Sequence, residues 1–212
     1  MDRIDTRHRR HAAGTDPAKR AAILDGAAQV FLEKGFDGAG VNDICRAAGV
    51  SKSTLYVYFD TKETLFGTLV EYERDRLFAG VERQLEGDAP LEVRLTGFAT
   101  RVAEMLCSDP VIRAQRAMIG MAERMPELGA QFYEGGAQRS QRLLAQTLDR
   151  EVATGRLVIL DTGLAAYQLV ELATAGLWRQ RLFGRMTEPP ERGAIEATAQ
   201  AAVAMFLSRY SA

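Results

Sequence analysis

Seven consecutive residues, Lys52-Ser53-Thr54-Leu55-Tyr56-Val57-Tyr58, place an ammonium, two hydroxyls and two phenols within two helical turns. These groups donate hydrogen bonds and stack on flat surfaces. With no histidine among them they make a poor catalytic set, but they suit the edges of base pairs. A lysine can donate to O6 and N7 of guanine, and the Thr54 methyl can meet the methyl of thymine. Val50, Leu55 and Phe59 recur at helical spacing and form a buried stripe, which turns Lys52, Ser53, Thr54, Tyr56 and Tyr58 outward.

The elements around this segment are set by local chemistry. Ser51 is a good N-cap, because its hydroxyl can accept an orphan N–H of the first turn. The preceding helix, Val41 to Ala48, stops at Gly49, where a left-handed backbone carries no Cβ penalty. Two short helices joined by a glycine turn form a helix-turn-helix, which lays its second helix in the major groove with its N-terminal residues at the base edges. A third, longer helix opens near Asp60. Upstream, Asp16-Pro17 marks a helix start; Ile23, Ala27, Val30 and Phe31 share one face, and Gly35 ends that helix. It braces the motif.

Ile44, Ala48, Gly49, Val50, Ser51, Leu55, Tyr56, Tyr58, Phe59, Lys62, Glu63 and Leu65 follow the order I-A-x-x-A-G-V-S-x-x-x-L-Y-x-Y-F-x-x-K-E-x-L. In this run the chain resembles the TetR family of transcriptional regulators. Carried over position by position, the resemblance implies that Asn42, Lys52, Ser53, Thr54 and Tyr56 contact bases or the groove, and that Tyr58 and Lys62 contact phosphate. It further implies an inverted-repeat operator of double-stranded DNA, repression, and a pocket in the body for an inducer. Two departures stand out. Cys45 replaces an alanine, a small change, and Ala39-Gly40 lacks the hydroxyl that usually caps the helix and touches phosphate.

Beyond Thr61 the pattern stays helical. Leu65, Leu69, Tyr72 and Arg76 continue one face of a connecting helix that ends near Gly87, and prolines 90, 110, 126, 189 and 190 fall at segment boundaries. Helices are expected over 89–107, 109–125, 127–154, 162–185 and 191–210, with Leu157 to Leu160 as a connector. The fold class is therefore all-α: a basic arm over 1–15, a three-helix helix-turn-helix domain over 16–62, and a helical ligand-binding and dimerisation domain over 63–212. Pro126-Glu127-Leu128, Phe132-Tyr133 and Gly155-Arg156-Leu157, followed by a long helix ending near Phe183-Gly184, are similar to the AefR-like C-terminal domain of TetR regulators. The arm reads either as a free tail or as a basic segment that lies along DNA.

Met118, Met121 and Met125 share a helical face, with Met105 and Cys107 on the preceding helix. Methionine suits an adaptable apolar pocket and suits ordinary core equally well. Expected lining residues for a small apolar ligand are Phe98, Met105, Met118, Met121, Phe132, Leu144, Tyr167, Gln168, Glu171 and Trp178, although Trp178 also fits a subunit interface. The last two helices carry many small residues, among them Ala165, Ala166, Ala173, Ala197, Ala201 and Ala204. In the family such helices form a two-fold four-helix bundle, so a homodimer is expected, with Val203, Phe206, Leu207 and Tyr210 either in that interface or in the monomer core. A regulator without an inducer, or one governed by a protein partner, is the alternative.

Composition narrows the classes further. Residues 1–62 hold ten Lys and Arg against eight Asp and Glu, while the remainder holds 17 against 20. All four lysines and both histidines lie in the first section, so positive charge sits where DNA contact is expected. Histidine in the arm alone leaves no Ser-His-Asp or Cys-His set in the core, and no Cys/His cluster has zinc-ligand spacing. No enzyme, metal or cofactor is expected. Two cysteines, Cys45 and Cys107, are too few for a disulfide framework and read as buried hydrophobes or as redox sensors. With no apolar run after the charged first residues and no stretch long enough to span a bilayer, a cytoplasmic protein is expected.

Overall fold

Asp16 starts the first helix as a capping carboxylate, its Oδ1 accepting from the backbone N–H of Ala18 and Lys19 at 3.0 and 3.4 Å. The structure, a computed structural model, describes residues 14–212, so the expected arm lies largely outside the described residues. Helix α1 runs Pro17–Gly38, α2 Val41–Ala48, α3 Lys52–Tyr58 and α4 Lys62–Glu82. Then follow α5 Leu91–Cys107, α6 Asp109–Met121, α7 Pro126–Tyr133, α8 Arg139–Ala153, α9 Thr162–Ala173, α10 Trp178–Leu182 and α11 Arg192–Tyr210. Among the described residues no β-strand forms; Leu157 and Ser211 make an isolated antiparallel bridge. The fold is all-α.

The chain divides into two compact units, 1–69 and 70–212, with the division falling inside α4. In the first unit Ile23, Ala27, Val30 and Phe31 are buried on one face of α1, as their spacing requires. Phe31, Phe36 and Phe66 close that core, with Phe66 meeting both partners edge-on at centroid separations of 5.1 Å. Gly35 kinks α1 rather than ending it, and one further turn carries the helix to Gly38.

In the second unit α5 packs on α11 and α9, and α8 packs on α9. Leu95, Phe98, Val102, Leu144, Leu148, Leu169, Val203 and Phe206 fill the space between them. Two expected helices are interrupted. The span 127–154 contains a π-helical turn over Glu134–Gln138, and 162–185 breaks at Thr174–Leu177, where Gly176 takes a φ of 74°. Of the residues read as one face of the connecting helix, Leu65 and Leu69 are buried and Tyr72 is about half exposed.

Two buried charges fasten the second unit. Arg181 donates to the carbonyls of Cys107 and Met186, both at 3.0 Å, and pairs with Asp109. Glu151 accepts from Arg94 at 2.7 Å and from Arg156. Burial alone would raise the Glu151 carboxyl, but the hydrogen bonds and charges of Arg156 and Arg94 hold it below its ordinary value of 4.5. A carboxyl lowered on folding adds stability that is complete above the unfolded-state value and is lost as pH falls through the folded one. Urea unfolding should therefore lose stability below about pH 4.5, a loss that Glu151→Gln reduces. At neutral pH Glu151→Ala should cost about 3–5 kcal/mol, because it strands the Arg94 charge.

Candidate nucleic-acid interface

The recognition segment is shaped by its caps. Gly49 ends α2 in the left-handed conformation, with a φ of 65°. Two residues later Ser51 Oγ accepts from the Thr54 N–H at 3.1 Å and also lies 2.8 Å from Thr54 Oγ1 and 2.9 Å from Ser53 Oγ. Three hydroxyls thus gather at the N-terminal end of α3. Leu55 and Phe59 are buried beneath, while Lys52, Ser53 and Tyr56 are exposed and Thr54 is half-buried. Lys52 Nζ stands 5.9 Å from the Tyr56 ring centroid, which leaves both side chains together on one open face. Asn42 is exposed on the first turn of α2. Gly40 caps that helix without a side-chain bond, as the missing hydroxyl predicts.

Side chains on α1 hold the motif in place. Gly26 packs so closely that a Cβ there would stand 2.6 Å from the backbone nitrogen of Ala48. Lys34 bonds Asp43 at 2.7 Å and Arg46 reaches the other carboxylate oxygen at 3.2 Å. The Lys34 hydrogen bond and charge, with help from Arg46, hold the Asp43 carboxyl below its ordinary value. The Tyr58 hydroxyl accepts from the backbone N–H of Asp16 at 3.2 Å, tying the end of α3 to the start of α1. Apart from the Asp43–Arg46 pair, these links join residues more than two helical turns apart, so sequence pattern alone missed them.

Lys62, expected at a phosphate, is engaged within its own unit. Its ammonium donates to the carbonyls of Phe36 and Ala39 at 2.9 and 3.2 Å and lies 4.4 Å from the Phe36 ring centroid. Two of its three N–H groups satisfy the carbonyls where α1 ends, so within this unit it acts as a brace.

The ten expected pocket residues do not gather in one place. Phe98 and Leu144 are sealed into the core of the second unit, and Met105 packs against it half-buried. Met118 and Met121 are buried on α6, and Phe132 is half-buried on α7. Tyr167, Gln168 and Glu171 instead lie on the exposed face of α9, because Ala165, Ala166, Leu169 and Ala173 take its buried face. Tyr167 Oη meets Tyr133 Oη at 2.8 Å, and Gln168 accepts from Tyr210 at 2.7 Å. Trp178 donates its indole N–H to Gln115 at 2.8 Å. A surface cleft of about 400 Å³ lies among Cys107, Ser108, Pro110, Pro189 and Ile195, and none of the ten lines it. Burial pushes the Cys107 thiol up to about 11 against the pull of Arg181, which makes it a poor thiolate.

A helix-turn-helix with a polar, exposed recognition face, joined to a helical second unit, defines a DNA-binding regulator. Comparison with known proteins agrees. The model described as bacterial regulatory proteins of the tetR family matches residues 23–69, and that of the AefR-like transcriptional repressor C-terminal domain matches 93–212. The chain belongs to the TetR family of transcriptional regulators, with an AefR-like C-terminal domain, and is not an enzyme.

Among relatives, the HTH-type transcriptional repressor Rv1474c of Mycobacterium tuberculosis is 29% identical over 133 residues, which span 63% of this chain and 64% of the relative. A Mesorhizobium loti structure described as a TetR-family regulator superimposes with a TM-score of 0.84 at 28% identity, covering 93% of this chain and all of that one. The flavonoid-responsive regulator FrrA gives 0.75 at 31% identity, over 92% of this chain and 98% of its own. Among the described residues no cluster of His, Cys, Asp and Glu could hold a metal, and no helix is long and apolar enough to cross a membrane.

The position of Lys62 yields a discriminating measurement. Lys62→Ala should lower the stability of the first unit by about 1–2 kcal/mol, read by thermal unfolding. The salt dependence of DNA binding should keep its slope, whereas loss of a phosphate contact would reduce it by about one.

Proposed function

We propose that the protein is a dimeric repressor that reads an inverted-repeat operator with α3 and leaves it when a small apolar ligand binds the second unit. One observation carries the DNA-reading part: Lys52, Ser53 and Tyr56 stand exposed, with Thr54 half-buried beside them, on a capped helix anchored by the buried Leu55 and Phe59. Asn42 and Tyr58 flank that face and serve as groove and phosphate contacts. Residues 14–16 run beside α3, with Gly14 against Val57 and Asp16 bonded to Tyr58. Repression is supported by the name of the Mycobacterium tuberculosis relative, and response to a small molecule by that of FrrA.

Dimerisation through α9 and α11 is supported by what those helices leave uncovered. Leu164 and Met205 are 54% and 60% exposed, and Ala197, Ala201, Ala204 and Ala175 lie open beside them. Val203 and Phe206 are not part of that face: both are buried in their own core, with Leu207 and Tyr210 packed against it. Small side chains at helical spacing allow two copies to approach closely, and a two-fold axis relates the two reading heads. The tightly packed core around Phe98 and Leu144 supports a second reading, a repressor with no inducer.

Selection of bound fragments from random DNA tests the first reading. It should recover an inverted repeat whose half-sites lie about 34–36 Å apart, or a multiple of this. Lys52→Ala should cost about 1–3 kcal/mol of specific binding, and Thr54→Ala should relax preference at one or two base pairs. Recovery of no preferred sequence would sink the assignment. Ala201→Glu should convert the protein to monomers in size-exclusion chromatography, with operator affinity falling alongside. Thermal melting across apolar compounds separates the inducer readings, since a ligand at a hundred times its Kd adds about 2.7 kcal/mol.

A further inference from the structure

Arg74 lies on the part of α4 that belongs to the second unit, and its Nε and Nη1 are buried without any hydrogen-bond partner. Arg74 as a whole is half-buried, but two of its three guanidinium nitrogens lie out of water without an acceptor, and burying polar N–H groups unpaired is costly. Two acids of its own helix, Asp75 and Glu82, are held by Arg139 instead, at 2.7 and 2.8 Å, with Arg139 4.9 Å from the Phe78 ring centroid.

The facing element has been shaped around the same group. Gly135 and Gly136 sit side by side in the π-helical turn Glu134–Gln138, where glycine is unfavourable relative to alanine. A Cβ on Gly135 would overlap Nη1 and Cζ of Arg74 and stand 2.6 Å from Nη2, whereas one on Gly136 would meet nothing within 4 Å. Gly135 therefore makes room for the guanidinium. A π turn is also a frequent mark of a functional position, because its extra residue opens the helix wall. Two unpaired buried guanidinium nitrogens, a glycine that clears their space and a widened turn coincide at one point.

We propose that Arg74 is the anchor for a carboxylate on a small organic ligand, which enters the second unit beside Gly135 and Gly136. This rests on the ligand-responsive reading above and adds the charge of the ligand. The planar fork of the guanidinium can hold a carboxylate through two parallel N–H···O bonds, one each from Nε and an Nη. The rest of the molecule is apolar, and the acid group distinguishes it from neutral compounds of the same shape.

The test uses the full chain and measures affinity by calorimetric titration and thermal shift, with decanoate, cinnamate and benzoate against their primary amides. At least one acid should bind about tenfold or more tighter than its amide, the ratio expected for a charge-assisted pair. Arg74→Gln and Gly135→Ala should each lose about tenfold or more of that acid affinity, while Gly136→Ala keeps it. Without ligand, Arg74→Gln should melt no lower than the unmodified protein, since a stranded charge has been removed.

Equal binding of acids and amides, no binding by any acid, or unchanged acid affinity in Arg74→Gln would overturn the proposal. So would an Arg74→Gln variant that falls apart into monomers or melts lower with no change in acid binding, which marks a purely structural guanidinium. Operator occupancy, followed in parallel, separates the two levels: acid binding that leaves DNA bound refutes induction but keeps the anchor.

Discussion

Gly26 has no side chain, and for that reason α1 and α2 meet almost backbone to backbone at Ala48. Every other feature of the reading head depends on this approach. It brings Lys34 to Asp43, sets the angle from which α3 leaves the glycine turn, and allows Phe31, Phe36 and Phe66 to close underneath. A methyl group at Gly26 would have to push against main chain, which yields far less readily than the far end of a flexible side chain. The supports of the exposed α3 face are backbone contacts, caps and rings.

The two units solve the problem of helix ends differently. In the head, orphan carbonyls at the end of α1 are met by the ammonium of Lys62 from α4, so the connecting helix begins by gripping the motif it follows. In the second unit arginines do the same work: Arg181, from the interior, serves the carbonyls of Cys107 and Met186, and the exposed Arg116 serves those of Arg181 and Leu182. Such charges are well satisfied. Against that background Arg74 stands out, because its Nε and Nη1 are buried and unpaired.

An exposed apolar helix face and a buried apolar one use the same residue types. Tyr167, Gln168 and Glu171 were expected to line a pocket, yet they point outward from α9 along with Leu164. Val203 and Phe206, with Leu207 and Tyr210 beside them, were candidates for either core or interface; the first two are sealed inside and the latter pair packs on them. The deciding quantity is which neighbour covers each face. For α9 the cover comes from α8, α5 and α11, elements up to a third of the chain away.

The sequence by itself determined the elements whose physics is local. The Asp16 and Ser51 caps, the left-handed Gly49, the buried stripe through Leu55 and Phe59 and the all-helical character follow from residues within a turn or two of one another. Only the tertiary structure decided that Lys62 braces α1, that Gly35 kinks a helix instead of ending it, and that Arg74 meets Gly135. Those contacts join residues 23 to 61 positions apart, or depend on what packs around them, and a one-dimensional pattern carries no term for either.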